Sequence, residues 1–270
     1  ITGLRKVEKG KVYLDGQDIT NLSPKKIRKS GLTHVPEDRN TRGLNRNMSI
    51  KENLVAVQIE DAPFSRGFLL NNKAITDYAN ELSEKFDIRP RDPEMITQSL
   101  SGGNAQKIVV AREVAIGGKL LVASQPTRGV DIGAIESIRS ILEDVKEKGL
   151  GVLLISADLE ELLSLSDRIV VMYLGTVVET ASSEALYAKP LHPYTQALIS
   201  AIPIPDPELE RKRAAETVQG EATVAGATEG CRFRTRCKFA TERCAHEMPE
   251  LREVEPGHFA ACHNLEQMGG

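Results

Sequence analysis

Between Lys119 and Tyr173 the sequence changes its hydrophobic period again and again. An apolar run, Leu120–Ala123, is followed by a loop and by Ile135, Ile138, Leu142 and Val145 at helical spacing. Gly149, a second run (Val152–Ser156), a short helix and a third run (Ile169–Tyr173) come next. Strand-length runs separated by amphipathic helices are βα crossovers, which imply parallel strands with helices packed outside and so an α/β fold. Upstream the rhythm is similar. Lys11–Leu14 reads as a strand ended by an Asp15-Gly16 turn, Ser23-Pro24 opens a short helix that Gly31 stops, and Leu32–Val35 is a strand running into Pro36. Ser49 and Glu52 have capping-box spacing, and Ile75, Tyr78, Ala79, Leu82 and Phe86 form one helical stripe, so the middle of the chain reads as mainly helical.

After Gly175 the character changes. A short helix is expected from about Ser182, Pro190-Leu191-His192-Pro193-Tyr194 opens another, and residues 206–229 are charged, then rich in Ala, Thr and Gly, as a linker would be. All four cysteines, Cys231, Cys237, Cys244 and Cys262, follow that stretch. A net charge of -3 with interleaved signs gives no electrostatic case for binding nucleic acid. No apolar run reaches the roughly 18 residues that a spanning helix needs, and the expected location is the cytoplasm. The chain opens at Ile1 in a structured-looking stretch, which raises the expectation that a natural N-terminal portion precedes it.

Ser101-Gly102-Gly103 stands directly before a helical run containing Ile108, Val109, Val110 and Val114. Unpaired N–H groups and the positive end of a helix dipole can hold an anion there, and glycine lets a phosphate approach the backbone. On its own the tripeptide reads more readily as a Ser cap on an ordinary helix. Its context is wider: Leu100–Lys107 around it, Ser124-Gln125-Pro126-Thr127-Arg128-Gly129-Val130-Asp131 after the strand Leu120–Ala123, and Pro36-Glu37-Asp38-Arg39 with Arg42-Gly43-Leu44.

These segments resemble, in order, the signature, the Walker B to D-loop segment and the Q-loop region of ABC transporter nucleotide-binding domains. The wording is similar to the second nucleotide-binding half of sugar or nucleoside importers. The resemblance covers residues 1–180 and implies a partial ABC-type α/β domain: a mixed sheet with a helical subdomain at about 40–112. It implies that Ser101, Gly102, Gly103 and Gln106 contact the nucleotide held by a second ABC ATPase domain, with ATP and magnesium shared between the two, and that Asp131 lines the dimer seam. Membrane permease subunits would dock near Glu37, with a solute-binding protein as an indirect partner, on the inner face of the cell membrane.

Three departures bear on chemistry. No Gly-x-x-x-x-Gly-Lys-Ser/Thr loop occurs in the 270 residues, and without that phosphate cradle the chain is not expected to hold ATP alone. Truncation explains this better than loss. Ser124 and Gln125 stand where the family has a magnesium-binding Asp and a catalytic Glu, and Ala157 where it has the switch His; an amide is no general base near neutral pH. Whether the chain is itself an ATPase stays open.

Residues 173–263 resemble a different group, the C-terminal extension of oligopeptide and dipeptide permease ATPases. The matching segments include Tyr173-Leu174-Gly175, Pro190 to Leu198, Gly230-Cys231, Arg236-Cys237 and Ala261-Cys262-His263. Residues 181–229 then read as permease-type extension and linker, and 230–264 as a small four-cysteine module. Four thiolates coordinate zinc or an iron-sulfur cluster. The wide Cys-x5-Cys-x6-Cys-x17-Cys spacing and the resemblance favour 4Fe-4S over zinc, with Arg232, Arg234, Arg236 and Lys238 balancing charge. Two readings follow: an energy-coupling importer subunit for peptides or for sugars and nucleosides, or a non-hydrolytic pseudo-ATPase whose cysteine module senses metal or redox state.

Overall fold

The computed structural model describes residues 1–202 and 229–265, so the 206–229 linker expectation lies almost wholly outside the described residues. The chain divides into two units, Ile1–Ala157 and Asp158–Gly270.

The first unit begins with a hairpin of β1 (Tyr13–Leu14) and β2 (Gln17–Asp18). Asp15 and Gly16 both take positive φ, 49° and 76°, the two-residue turn that an Asp-Gly pair favours. Helix α1 (Pro24–Lys29) has Pro24 in its first turn, where the missing N–H costs nothing, and it ends before Gly31 at φ 101°. Leu14, Ile19 and Ile27 close a small core over Leu32 and Val122. Strand β3 (Leu32–Val35) runs into a single π-helical turn, Arg39–Gly43. Helix α2 (Ile50–Val55) starts in the expected capping box: Ser49 accepts from Glu52 N–H while Glu52 accepts from Ser49 N–H at 2.7 Å.

The middle stretch is helical as expected, but it also holds a small hairpin, β4 (Ser65–Arg66) with β5 (Leu69–Leu70). Helix α3 (Asn72–Lys85) buries Ile75, Ala79 and Leu82. Helix α4 (Gly102–Ala115) is the centre of the unit: Ile108, Val109, Val110 and Ala111 are all fully buried. Four consecutive buried residues mean packing on every side, which is why this helix lacks an amphipathic stripe. Its last turn is anchored by the buried Glu113, which accepts from Arg28 at 2.5 Å, Arg112 at 3.0 Å and the His34 N–H at 3.2 Å. Strand β6 (Leu120–Ser124), helix α5 (Ile132–Glu147) and strand β7 (Gly151–Ile155) form the expected crossover, and the parallel sheet has the order β3-β6-β7.

The second unit starts with helix α6 (Leu159–Leu165) and strand β8 (Arg168–Tyr173). The crossover rhythm predicts a parallel partner for β8. Instead, the tight Leu174-Gly175 turn, φ 45° and 75°, returns the chain as β9 (Thr176–Ser182), antiparallel to β8. Helices α7 (Ser183–Ala188) and α8 (Pro193–Ser200) follow, then, past the undescribed stretch, α9 (Glu242–His246), β10 (Arg252–Glu255) and β11 (His258–Ala260). Strand β11 pairs with β9, giving a four-stranded antiparallel sheet in the order β10-β11-β9-β8.

The cysteine segment is too short to build its own core, and it borrows one. Phe233, 2% exposed, sits edge-on to Tyr173 at 5.2 Å and against Tyr194 at 5.5 Å between ring centroids. Glu179, fully buried on β9, accepts from the Leu191 and His192 N–H groups at 2.8 Å each and contacts His258 Nε2 at 2.7 Å. One carboxylate thus ties β9, the entry to α8 and β11 together.

Candidate functional site

Ser101 caps α4. Its Oγ accepts from the Asn104 N–H at 3.4 Å and from Asn104 Nδ2 at 3.1 Å. Both bonds use oxygen lone pairs, so the hydroxyl proton remains free to donate outward. Asn104 is itself held by the Arg89 N–H, which donates to Oδ1 at 2.8 Å. The helix N-terminus adds the N–H groups that have no partner within a helix, with the dipole behind them. An open cleft of about 770 Å³ lies in front, lined among others by Arg89, Arg91, Ser99, Leu100, Ser101 and Asn104. The helix N-terminus makes its mouth suited to an anion, while the Arg89 and Arg91 guanidiniums beside it pair with Asp87 and Glu84 at 2.8 and 4.0 Å.

The two glycines are there for close approach. A Cβ at Gly102 would lie 2.8 Å from Arg39 Nη2, and one at Gly103 would lie 2.7 Å from Asp131 Oδ2 and 2.8 Å from Ala134 Cβ. Asp131 caps α5, accepting from the Ala134 N–H at 2.9 Å, so its carboxylate is fixed against Gly103. Ser101 is exposed and Gly102 half-buried, whereas Gly103 is buried and Gln106 is only 2% exposed. The structure therefore groups Ser101, Gly102, Gly103 and Asp131, and it leaves Gln106 off their open face.

The Glu37 segment joins the same place. Glu37 pairs with Arg128, and Arg39 donates to the Arg128 carbonyl at 2.8 Å and the Gly129 carbonyl at 3.0 Å. Sequence reading singled out Glu37 and missed Arg39. Its partners are carbonyls about 90 residues away, and a backbone acceptor leaves no trace in the sequence.

At the end of β6, Gln125 takes φ 49° and donates its N–H to Ile155 at 2.7 Å. Its side-chain Oε1 accepts from the Ala157 N–H at 3.2 Å. The two positions that carry Glu and His in the resembled family are thus joined by a neutral hydrogen bond, with no carboxylate or imidazole between them to move a proton.

The four cysteines are free thiols, with Cys244 buried and the others half-buried. Burial pushes the Cys231 and Cys237 thiols up and Cys262 to about 11, and neighbouring cysteines raise each of these three further. Thr241 Oγ1 lies 3.4 Å from Cys244 Sγ, and the Asn264 N–H donates to Cys262 Sγ at 3.4 Å. Arg232 and Arg234 donate to the carbonyls of Leu174 and Glu229, so much of the expected charge-balancing capacity goes to the backbone. Among the described residues no group of three or more His, Cys, Asp or Glu is arranged to hold a metal ion, so the expected metal site, zinc included, is not supported by the structure. Nor is any described helix long and apolar enough to cross a membrane.

Comparison with known proteins separates the same two regions. Residues 1–128 match the ABC transporter family model, and residues 178–244 match that of the oligopeptide/dipeptide transporter C-terminal region. BOV_A0347 of Brucella ovis, assigned as a peptide import ATP-binding protein, is 35% identical over 94% of this chain and 78% of its own length. YkfD of Bacillus subtilis, assigned to oligopeptide transport, is 42% identical over 71% of this chain and 59% of itself. The nucleoside import ATP-binding protein NupA of Lactococcus lactis is 45% identical over 68% of this chain and 36% of itself. The chain thus spans less than two thirds of the length of YkfD and NupA. A nucleotide-free ATP-binding cassette from an ABC transporter superposes with a TM-score of 0.61 at 23% identity, covering 73% of this chain and 79% of that one. The dimeric MJ0796 cassette, in a post-hydrolysis state with ADP and Pi, gives 0.59 at 24% identity, covering 68% and 77%. These structural likenesses establish the fold, and the extent of the match to BOV_A0347 establishes the kinship: the chain belongs to the ATP-binding proteins of the ABC transporter family.

Proposed function

We propose that this chain is the energy-coupling ATP-binding subunit of an ABC importer, and that it completes an ATP site held by a partner domain while its own site does not hydrolyse. The observation that carries this reading is the geometry at α4. A hydroxyl proton and a helix N-terminus are left open, with the Arg128–Asp131 loop fastened beside them by Arg39 and Asp131. In the dimer, Ser101 and Gly102 would donate to the γ-phosphate of ATP whose magnesium and phosphate cradle the partner supplies. Gln125, bonded to Ala157, would hold the ends of β6 and β7 without taking a proton from water. Closure would be transmitted through the Glu37 segment to membrane permease subunits on the inner face of the membrane. The relatives point to peptides on one side and to nucleosides on the other, so the solute is a peptide or a nucleoside or sugar.

The test is steady-state hydrolysis by this chain paired with a hydrolysis-competent partner domain. Ser101→Arg fills the mouth of the cleft, and turnover is expected to fall by about 100-fold, the size of effect seen when one oxyanion donor is lost. Unchanged turnover sinks the reading. The Gln125–Ala157 bond also favours a second reading, a pseudo-ATPase with a structural role; it predicts no nucleotide-dependent pairing at all.

We further propose that the four thiols hold an iron-sulfur cluster. What supports the reading is the spacing of the four cysteines along the chain, together with the Asn264 N–H that donates to Cys262 Sγ at 3.4 Å. Such N–H to sulfur bonds help to set a cluster's potential. An anaerobic preparation should show iron and iron-associated visible absorbance; bound zinc, or neither metal, overturns this.

A further inference from the structure

We propose that Arg39 is a positioning residue: it couples the Glu37 segment to the loop between β6 and α5 and to the first glycine of α4. This rests on the proposed function for its consequence in turnover, but the clamp itself is a property of the chain alone.

The geometry is specific. The guanidinium donates from Nη1 to the Arg128 carbonyl and from Nη2 to the Gly129 carbonyl, two successive acceptors at 2.8 and 3.0 Å. A planar fork meets two such acceptors at once, which a lysine ammonium on a flexible stem cannot do with the same order. The same Nη2 lies 2.8 Å from where a Cβ at Gly102 would stand, so one side chain is packed against both the loop and the start of α4. Its backbone is equally constrained. Arg39 opens the π-helical turn, whose carbonyl accepts from the Leu44 N–H at 2.8 Å, and Asp38 Oδ1 caps the turn from Asn40 and Thr41 at 2.9 and 3.3 Å. The other end of the turn is wedged against α4, because a Cβ at Gly43 would lie 3.1 Å from Val109 Cγ2.

The second tie between these segments, Glu37 with Arg128, involves side chains 58% and 66% exposed. Pairs of that kind contribute little in high dielectric. Arg39 is half-buried and its acceptors are fixed backbone, so it carries the connection. A displacement of the Glu37 segment would then move the Arg128–Gly129 carbonyls and the Gly102 end of α4 together.

The experiment has two arms. In the full chain alone, hydrogen exchange of the amides of residues 127–131 should rise about tenfold in Arg39→Ala and in Arg39→Gln, as expected for losing one or two net hydrogen bonds. Arg39→Lys should rescue only part of this, and Arg128→Ala should do little at the remaining amides. In the complex with a competent partner, Arg39→Ala should lower kcat about tenfold with KM for ATP unchanged, a split that simple loss of folding would not produce. Unchanged exchange in both Arg39→Ala and Arg39→Gln overturns the proposal, as does full rescue by Arg39→Lys. Unchanged kcat in Arg39→Ala, where Ser101→Arg lowers turnover about 100-fold, overturns the coupling. If Ser101→Arg is also silent, it is the proposed function that fails, and the exchange arm still decides the clamp.

Discussion

The α4 start and the β9 region handle polar groups in opposite ways. At Ser101 the hydroxyl accepts twice and keeps its proton to give away, Gly102 is only half-buried, and the cleft in front is flanked by two exposed arginines. At Glu179 a buried carboxylate is consumed by two backbone N–H groups and an imidazole, all within the fold. Capacity spent inward holds the chain together, whereas capacity left pointing outward is exchanged with water and is open to the ligand of the proposed function. The difference separates the proposed site from a structural hub without reference to residue type.

That comparison is broken most readily at Glu179. Replacing it with Ala leaves the N–H groups of Leu191 and His192 buried and His258 without its carboxylate, and should cost about 4 kcal/mol in urea denaturation; a cost below about 1 kcal/mol would show that the hub is not structural. His192 gives the next effect. Burial lowers its pKa to about 4 from 6.5, so between these values the unfolded chain takes up a proton that the folded chain refuses. Stability from this group is complete above about pH 6.5 and is lost as the pH falls towards about 4, a total of about 3 kcal/mol. Because His192 caps α8 by accepting the Tyr194 N–H, His192→Asn should keep a cap and flatten that slope. An equal slope in the variant would assign it to other groups.

At the α4 start, Gly103→Ala should cost about 2 kcal/mol by forcing Asp131 and Ala134 aside. Ser101→Ala should cost under about 1 kcal/mol, because the cap bond it removes is long. Thermal denaturation of both variants sharpens the contrast: Gly103 serves the fold, and Ser101 is nearly dispensable to it. The reverse order would undo the assignment of roles.

Much of the fold was legible because it is written locally. Leu32–Val35, the Asp15-Gly16 turn, the Ser49–Glu52 box and the α5 stripe each depend on neighbours within a few residues. Strand β9 was not legible, because Glu179 in its middle reads as a surface residue until His258, 79 residues on, buries with it. The same holds for the site. Ser101 and the two glycines stand out by their order, but the reason for Gly103 is Asp131, and the loop between β6 and α5 is held by Arg39, whose acceptors are carbonyls. In the sequence Gln125 and Ala157 show only as losses of Glu and His, whereas the structure joins them to each other.

The central claim is that this chain completes ATP held by another domain. It is tested most directly by sedimentation of the chain mixed with a partner domain that binds ATP but is blocked in turnover, with and without ATP and magnesium. The account predicts a heterodimer that forms only with ATP, is lost in Ser101→Arg and persists in Gln125→Ala. A dimer that forms equally well in Ser101→Arg, or without ATP, would contradict it.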